Sequence, residues 1–151
     1  MSQQGCLSCD VIAGRQETPG GVIFESDYWH LSHQVSPVLL PGFLILQPVR
    51  HVEQIGALTM EEASTLGPVL SAASQGLNRI LDARKVYACS FGSFVQHVHF
   101  YLVPLVAAIP ADIAGADLIS AVLGGRWAGS EDKAADVAAR VRVELAKQLY
   151  I

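Results

Sequence analysis

Short apolar blocks dominate the first third of the chain. Val22–Glu25 and residues 28–32 read as two short strands joined at Ser26–Asp27. Pro41–Gly42 marks a turn, and residues 43–47 form an apolar run short enough to be a buried strand. The period then changes. Ala63, Leu66, Leu70, Ala73, Leu77 and Ile80 recur at helical spacing, and Thr59-x-x-Glu62 ahead of them has the form of a capping box. Pro68 lies inside this pattern and is expected to kink or restart the helix, because it removes a backbone donor. Residues 86–91 and 97–103 read as two further strands around a turn at Gly92–Ser93. Residues 104–129 are rich in Pro, Gly and Ala and predict a loop with a short helix over 118–123. Ser130 caps a last helix whose first turn carries Glu131 and Asp132 and whose apolar stripe is Ala134, Val137, Ala138, Val141 and Leu145.

The order is strands, helix, strands, helix, with the strands in adjacent pairs. That order predicts an α+β domain: an antiparallel sheet of about five strands with a long central helix and a C-terminal helix. A length of 151 residues suits one domain spanning 1–151. Hydrophobic residues make up 51 % of the chain and the mean hydropathy is +0.35, an apolar excess that fits a dense core or a subunit interface equally well. The net charge of −4 and the lack of a Lys/Arg cluster argue against tight, sequence-independent nucleic-acid binding. The opening MSQQGCLSCD has neither the basic nor the apolar region of a signal peptide. Pro104, Pro110 and Asp112 interrupt the longest apolar stretch, so no membrane partner is expected. A cytoplasmic location follows as the expectation, and there thiols stay reduced. The cysteines number three, which also argues against a disulfide framework.

Candidate chemistry gathers at His97-Val98-His99-Phe100-Tyr101-Leu102-Val103. If this segment is a strand, Val98, Phe100 and Leu102 face one way and His97, His99 and Tyr101 the other. Three polar rings on one face fit either a half-exposed strand meeting solvent or a built site. Cys6 and Cys9 form C-x-x-C with no strand before them, unlike a thioredoxin-type redox motif. A zinc site needs four ligands, and His51 and His97 are candidates for the remaining two.

Cys6-x-x-Cys9, Pro41-Gly42, Pro48-Val49-Arg50-His51-Val52 and His97-x-His99, in this order, resemble the histidine-triad (HIT) superfamily, and the resemblance runs over nearly the whole chain. Val11-Ile12-Ala13-Gly14 after the cysteines, Leu58-Thr59-Met60-Glu61-Glu62-Ala63, and Arg126-Trp127 ahead of Ser130-Glu131 add to it, the last resembling the branch that cleaves diadenosine polyphosphates. The resemblance implies a structural zinc held by Cys6, Cys9, His51 and His97. It also implies a nucleophilic His99 that attacks a nucleotide α-phosphate and forms a nucleotidyl-histidine. Ser93 and Gln96 become candidate substrate-binding donors, and His33 falls near where the family holds the ribose. A homodimer is likewise implied.

The chain departs from the family pattern at two main positions. Tyr101 stands where the third histidine of the triad is found. It can donate a hydrogen bond but cannot become a cation. Phe43 replaces the histidine of P-G-H, and Ser93-Phe94 replaces a polar pair. The expected function is a nucleotide hydrolase or nucleotidyltransferase, with His99 and Tyr101 as catalytic residues. The alternatives are a catalytically impaired nucleotide- or partner-binding protein and a fold reused on another metabolite. Trp127 is expected to pack rather than to close over a base.

Overall fold

Side chains alternate across a strand, and the sheet of this protein turns that alternation into two unlike faces. The computed structural model describes residues 3–149. Its strands β1 (Val22–Glu25), β2 (Trp29–His33), β3 (Leu44–Pro48), β4 (Val86–Cys89) and β5 (Phe100–Pro104) form one antiparallel sheet in the order β1-β2-β3-β5-β4. The helices are α1 (Leu7–Ile12), α2 (Met60–Leu81), α3 (Gly115–Leu123) and α4 (Glu131–Leu149). The α+β expectation therefore holds, down to the five strands and the two long helices. Among the described residues no helix is long and apolar enough to cross a membrane.

One face of the sheet is covered by α2 and α4. Trp29, Leu31, Leu44, Leu46 and Leu102 meet Val69, Ala73 and Leu77 of α2 and Val137, Val141 and Leu145 of α4 in the larger core. The Trp29 indole is fully buried, and its Nε1–H donates to the Glu62 carbonyl and to Thr65 Oγ1, both at 3.0 Å. The α4 stripe is the one expected. The α2 stripe is rotated: Val69, Ala72, Ala73, Gly76 and Leu77 are buried, while Ala63 is exposed. Helix α2 also runs unbroken through Pro68, contrary to the expected kink or restart. Pro68 and Ser64, whose carbonyl loses its helical donor, both lie on the exposed side, where solvent can replace that donor.

The capping box is present: Glu62 N–H donates to Thr59 Oγ1 at 3.1 Å and Thr59 N–H to Glu62 Oε2 at 2.8 Å. The same carboxylate receives Arg50 Nε and Nη2 at 3.0 and 2.8 Å, which ties the end of β3 to the start of α2. The guanidinium beside it holds the Glu62 carboxyl below the usual range.

The other face carries a smaller core of Phe43, Val103, Ile119 and Val122, with Tyr101 and Trp127 packed against it. Trp127 thus has the packing role expected of it. Several elements differ from expectation. Helix α1 lies where the sequence pattern marked no element, β4 ends at Cys89 and not at 91, α3 starts three residues early at Gly115, and β5 starts at Phe100, not at 97. His97 and His99 lie ahead of the strand, held by a single backbone bond from Val98 N–H to the Val52 carbonyl at 2.7 Å.

Candidate functional site

Cys6 closes the N-terminus of α1 by accepting the Cys9 amide on its thiol at 3.5 Å, so Cys6 and Cys9 sit one helical turn apart on the same side. His51 follows β3, next to the clamped Arg50, and His97 precedes β5. The four ligand atoms lie within 4.8 Å of one another. Cys6 Sγ is 3.6 Å from His97 Nδ1, and Cys9 Sγ is 3.5 Å from His97 Nδ1 and 3.4 Å from His51 Nδ1. A tetrahedron with Zn–S of about 2.3 Å and Zn–N of about 2.0–2.1 Å has S···N edges of about 3.6 Å, so the spacing suits zinc.

The outer nitrogens fit as well. His97 Nε2–H donates to the Pro48 carbonyl at 2.8 Å, and His51 Nε2–H reaches Glu53 Oε1 at 3.4 Å. Each contact leaves Nδ1 without a proton and aimed at the thiols, as a metal ligand requires. Four protein ligands leave no open position, the pattern of a structural rather than a catalytic metal. The cluster expected from Cys6, Cys9, His51 and His97 is thus brought together in full.

Two residues on, His99 is buried with its Nδ1 2.7 Å from the His97 carbonyl. A carbonyl only accepts, so Nδ1 carries the proton and Nε2 holds a free lone pair. Rings His99 and Tyr101 lie 5.2 Å apart, and Tyr101 stands edge-on to Phe43 at 5.0 Å with Phe91 at 5.9 Å. Burial, followed by the Cys89 thiol nearby, pushes the Tyr101 phenol above its ordinary value of 10, so it is a neutral proton donor at physiological pH.

His99 and Tyr101 line an open cavity of about 220 Å³ between β2–β3 and α1. They also line an adjoining hollow of about 390 Å³ beneath the 91–95 loop and α3. Ser93 lines that second hollow with them. Gln96 does not: it is exposed over a separate depression beside Cys6, His51 and Glu53. His33 touches the first cavity, but both its ring nitrogens are occupied. Nδ1–H donates to the Gln34 carbonyl at 2.9 Å, and Nε2 accepts the Gly42 amide at 3.0 Å. Burial keeps its pKa below 6.5, in line with a neutral ring that organises the 34–42 turn.

Three residues of the first cavity were missed in the sequence: Ser8, Ser32 and Gln47, all buried. Gln47 had a signal, since it is the one polar residue in the apolar run 43–47 and shares the side of Ile45. His30, opposite Gln47 in the β2–β3 pairing, is also buried. Neither of its ring nitrogens has a hydrogen-bond partner, and the Glu25 carboxylate stands off at 3.6 Å.

No family model matches the chain. Similar solved structures cover nearly all of it. A hypothetical histidine triad nucleotide-binding protein from Sulfolobus tokodaii aligns with a TM-score of 0.72 at 15 % identity, over 94 % of this chain and 93 % of its own. A zinc-bound histidine triad family protein from Mycobacterium smegmatis aligns at 0.70 and 15 %, over 95 % and 94 %. A member of the HIT family from Bacillus subtilis aligns at 0.60 and 20 %, over 84 % and 100 %. With the five-stranded sheet, the two long helices and the Cys/His cluster already in place, these likenesses identify the fold of this chain as that of the histidine-triad proteins.

Proposed function

We propose that this chain is a zinc-stabilised HIT protein that acts on the α-phosphate of a nucleotide through His99. The observation that carries this reading is the hydrogen bond from His99 Nδ1–H to the His97 carbonyl at 2.7 Å, beside a cavity large enough to admit a ligand. In the neutral ring that bond places the proton on Nδ1, leaves the lone pair on Nε2 and orients the ring.

In the first step the Nε2 lone pair forms a P–N bond, the bond from phosphorus to the leaving oxygen breaks, and the leaving group takes that electron pair. The imidazole becomes a cation, stabilised where Nδ1–H meets the His97 carbonyl. Tyr101 O–H is the nearby neutral donor able to protonate or hydrogen-bond the leaving oxygen. In the second step water or another acceptor attacks phosphorus, the P–N pair returns to Nε2, and the acceptor's proton passes to the Tyr101 oxygen if that group protonated the leaving oxygen, and otherwise to solvent. Ser93 is a candidate donor to the phosphoryl oxygens, since it lines the same hollow as His99 and Tyr101. Gln96 and His33, also expected to bind substrate, are less favoured by their positions. A zinc ion at Cys6, Cys9, His51 and His97 would supply a crosslink that holds the His97 carbonyl in line. We extend the reading to a cytoplasmic homodimer, whose mass in solution is directly measurable.

Intact-protein mass spectrometry after exposure to dinucleoside polyphosphates, nucleoside phosphoramidates and nucleotide sugars tests the mechanism. A nucleotidyl adduct is expected on the wild type and absent from His99→Ala, with turnover lost in parallel. Full turnover in His99→Ala would sink it. The packing of Tyr101 against Phe43 favours a second reading, nucleotide binding with weak or no turnover, in which affinity persists without an adduct.

A further inference from the structure

Among the described residues, Phe91 and Phe94 are the only exposed aromatic side chains, and both stand at one hollow. Phe94 is fully exposed and Phe91 is 60 % exposed. With Ile119 and Leu123 of α3 they line the space of about 390 Å³ beneath the 91–95 loop. Rings left in water forgo the stabilisation that burial brings, and a cluster of them at the rim of a hollow marks a binding surface. His99 and Tyr101 line this hollow as well as the cavity between β2–β3 and α1, so the two spaces meet at the reacting histidine. A phosphorus beside His99 Nε2 can place one substituent in each. Among the described residues no lysine, arginine or carboxylate lines either space. Arg126, just past α3, lies over the Trp127 ring, 5.1 Å from its centre.

We propose that the hollow is the leaving-group site and selects an uncharged aromatic group bonded directly to the α-phosphorus, with Phe94 setting the preference. The proposal rests on the nucleotide reading above and adds the chemical class of the departing half: an aryl ester rather than a polyphosphate. A polyphosphate carries several charges, which proteins hold with Arg, Lys or a carboxylate-bound Mg²⁺. Desolvating those charges against Phe91, Phe94 and Leu123 with no counter-charge is costly. An apolar ring has the opposite effect, since covering it removes its own surface and that of the two phenyl rings from water. Offset or edge-on packing on Phe91 and Phe94 favours an aromatic occupant further. As Nε2 forms the P–N bond, the P–O bond to the aryl oxygen breaks. That oxygen takes the electron pair and the proton of Tyr101 O–H, and a neutral phenol leaves.

The test is steady-state hydrolysis by zinc-loaded protein of the phenyl, 2-naphthyl and 4-carboxyphenyl esters of AMP and of UMP. Phenol and 2-naphthol are similar in acidity, so the ratio of their kcat/KM values reads contact with the added ring and not leaving-group strength. Wild type is expected to favour the naphthyl over the phenyl ester about tenfold, the worth of one further buried ring. The 4-carboxyphenyl ester has the more acidic phenol yet should react slowest, because its charge enters an apolar hollow. Phe94→Ala, at a fully exposed position, should lower the naphthyl-to-phenyl ratio about threefold or more. Leu123→Ala should lower it in the same direction. Equal rates for the phenyl and naphthyl esters, a 4-carboxyphenyl ester that reacts fastest, or a ratio that survives both substitutions overturns the proposal and leaves the nucleotide reading intact. So does turnover of a dinucleoside polyphosphate with none of any ester. Turnover of neither overturns both.

Discussion

Leu31 and Ser32 are neighbours in β2 and both are buried, yet their surroundings differ in kind. Leu31 points to α2 and α4, where apolar side chains from two helices close over it. Ser32 points to the cavity, among Gln47, His99 and Tyr101, with no partner of its own. The same contrast repeats at Leu46 and Gln47 in β3, and at Leu102 and Tyr101 in β5. The helix-covered face spends its burial on stability. The cavity face carries unpaired polar groups and open space, both of which cost stability and both of which a ligand can use.

The largest effect that sharpens this contrast is Leu46→Ala. A fully buried leucine under two helices should cost about 2–5 kcal/mol in urea unfolding, with zinc content unchanged. Ile45→Ala, on the adjacent position facing the cavity, should cost less, since its side chain already borders open volume; equal losses at the two positions would break the comparison. Next in size is Cys9→Ser. It should drop bound zinc below one per chain by elemental analysis and lower stability by roughly 1–3 kcal/mol, because the cluster staples α1 and the 97–99 segment rather than the larger core.

The smallest effect concerns protons. Burial holds the pKa values of His30 and His33 below their ordinary 6.5, with the nearby Glu25 only partly opposing it at His30. Both rings are neutral in the fold and take up protons more readily once unfolded. Stability is therefore full above about pH 6.5 and declines as pH falls from there toward the depressed folded values. Melting temperatures between pH 7.5 and 5.5 should show this decline, and His30→Leu should make it shallower. A slope unchanged in that variant would remove His30 from the account.

Much of the helix face is legible in the sequence, because it obeys local rules. The Thr59–Glu62 box and Ser130 announce their helices, and the α4 stripe from Ala134 to Leu145 is its buried face without revision. The α2 stripe is less legible, because small residues such as Ala63 and Ala72 carry little amphipathic signal and tertiary packing decides which of them is covered. Helix α1 escapes detection for another reason: it is six residues long and is capped by a thiol instead of a hydroxyl or carboxamide. The four metal-binding candidates are legible by residue type and chain order, and the structure adds their distances. The segment 97–99 reads as strand by alternation, yet it is held by one backbone bond to Val52 and by the two imidazoles, which alternation does not encode. Ser8, Ser32 and Gln47 are the least legible. Nothing in their spacing along the chain links them, and only the pairing of β2 with β3 under α1 brings them to one cavity.

Helix α1 serves two neighbours at once. Cys6 and Cys9, at its start and in its first turn, belong to the cluster, while Leu7, Ser8 and Val11 from the same short helix wall the cavity. Six residues cannot hold a helix by themselves, so anything that fixes α1 from one side prepares it for the other. Linkage then requires reciprocity: a metal that raises affinity for a cavity ligand by some factor has its own affinity raised by that ligand by the same factor. A metal at the cluster and a ligand in the cavity would then act on each other through this N-terminal turn, although the two sites share no ligand atom.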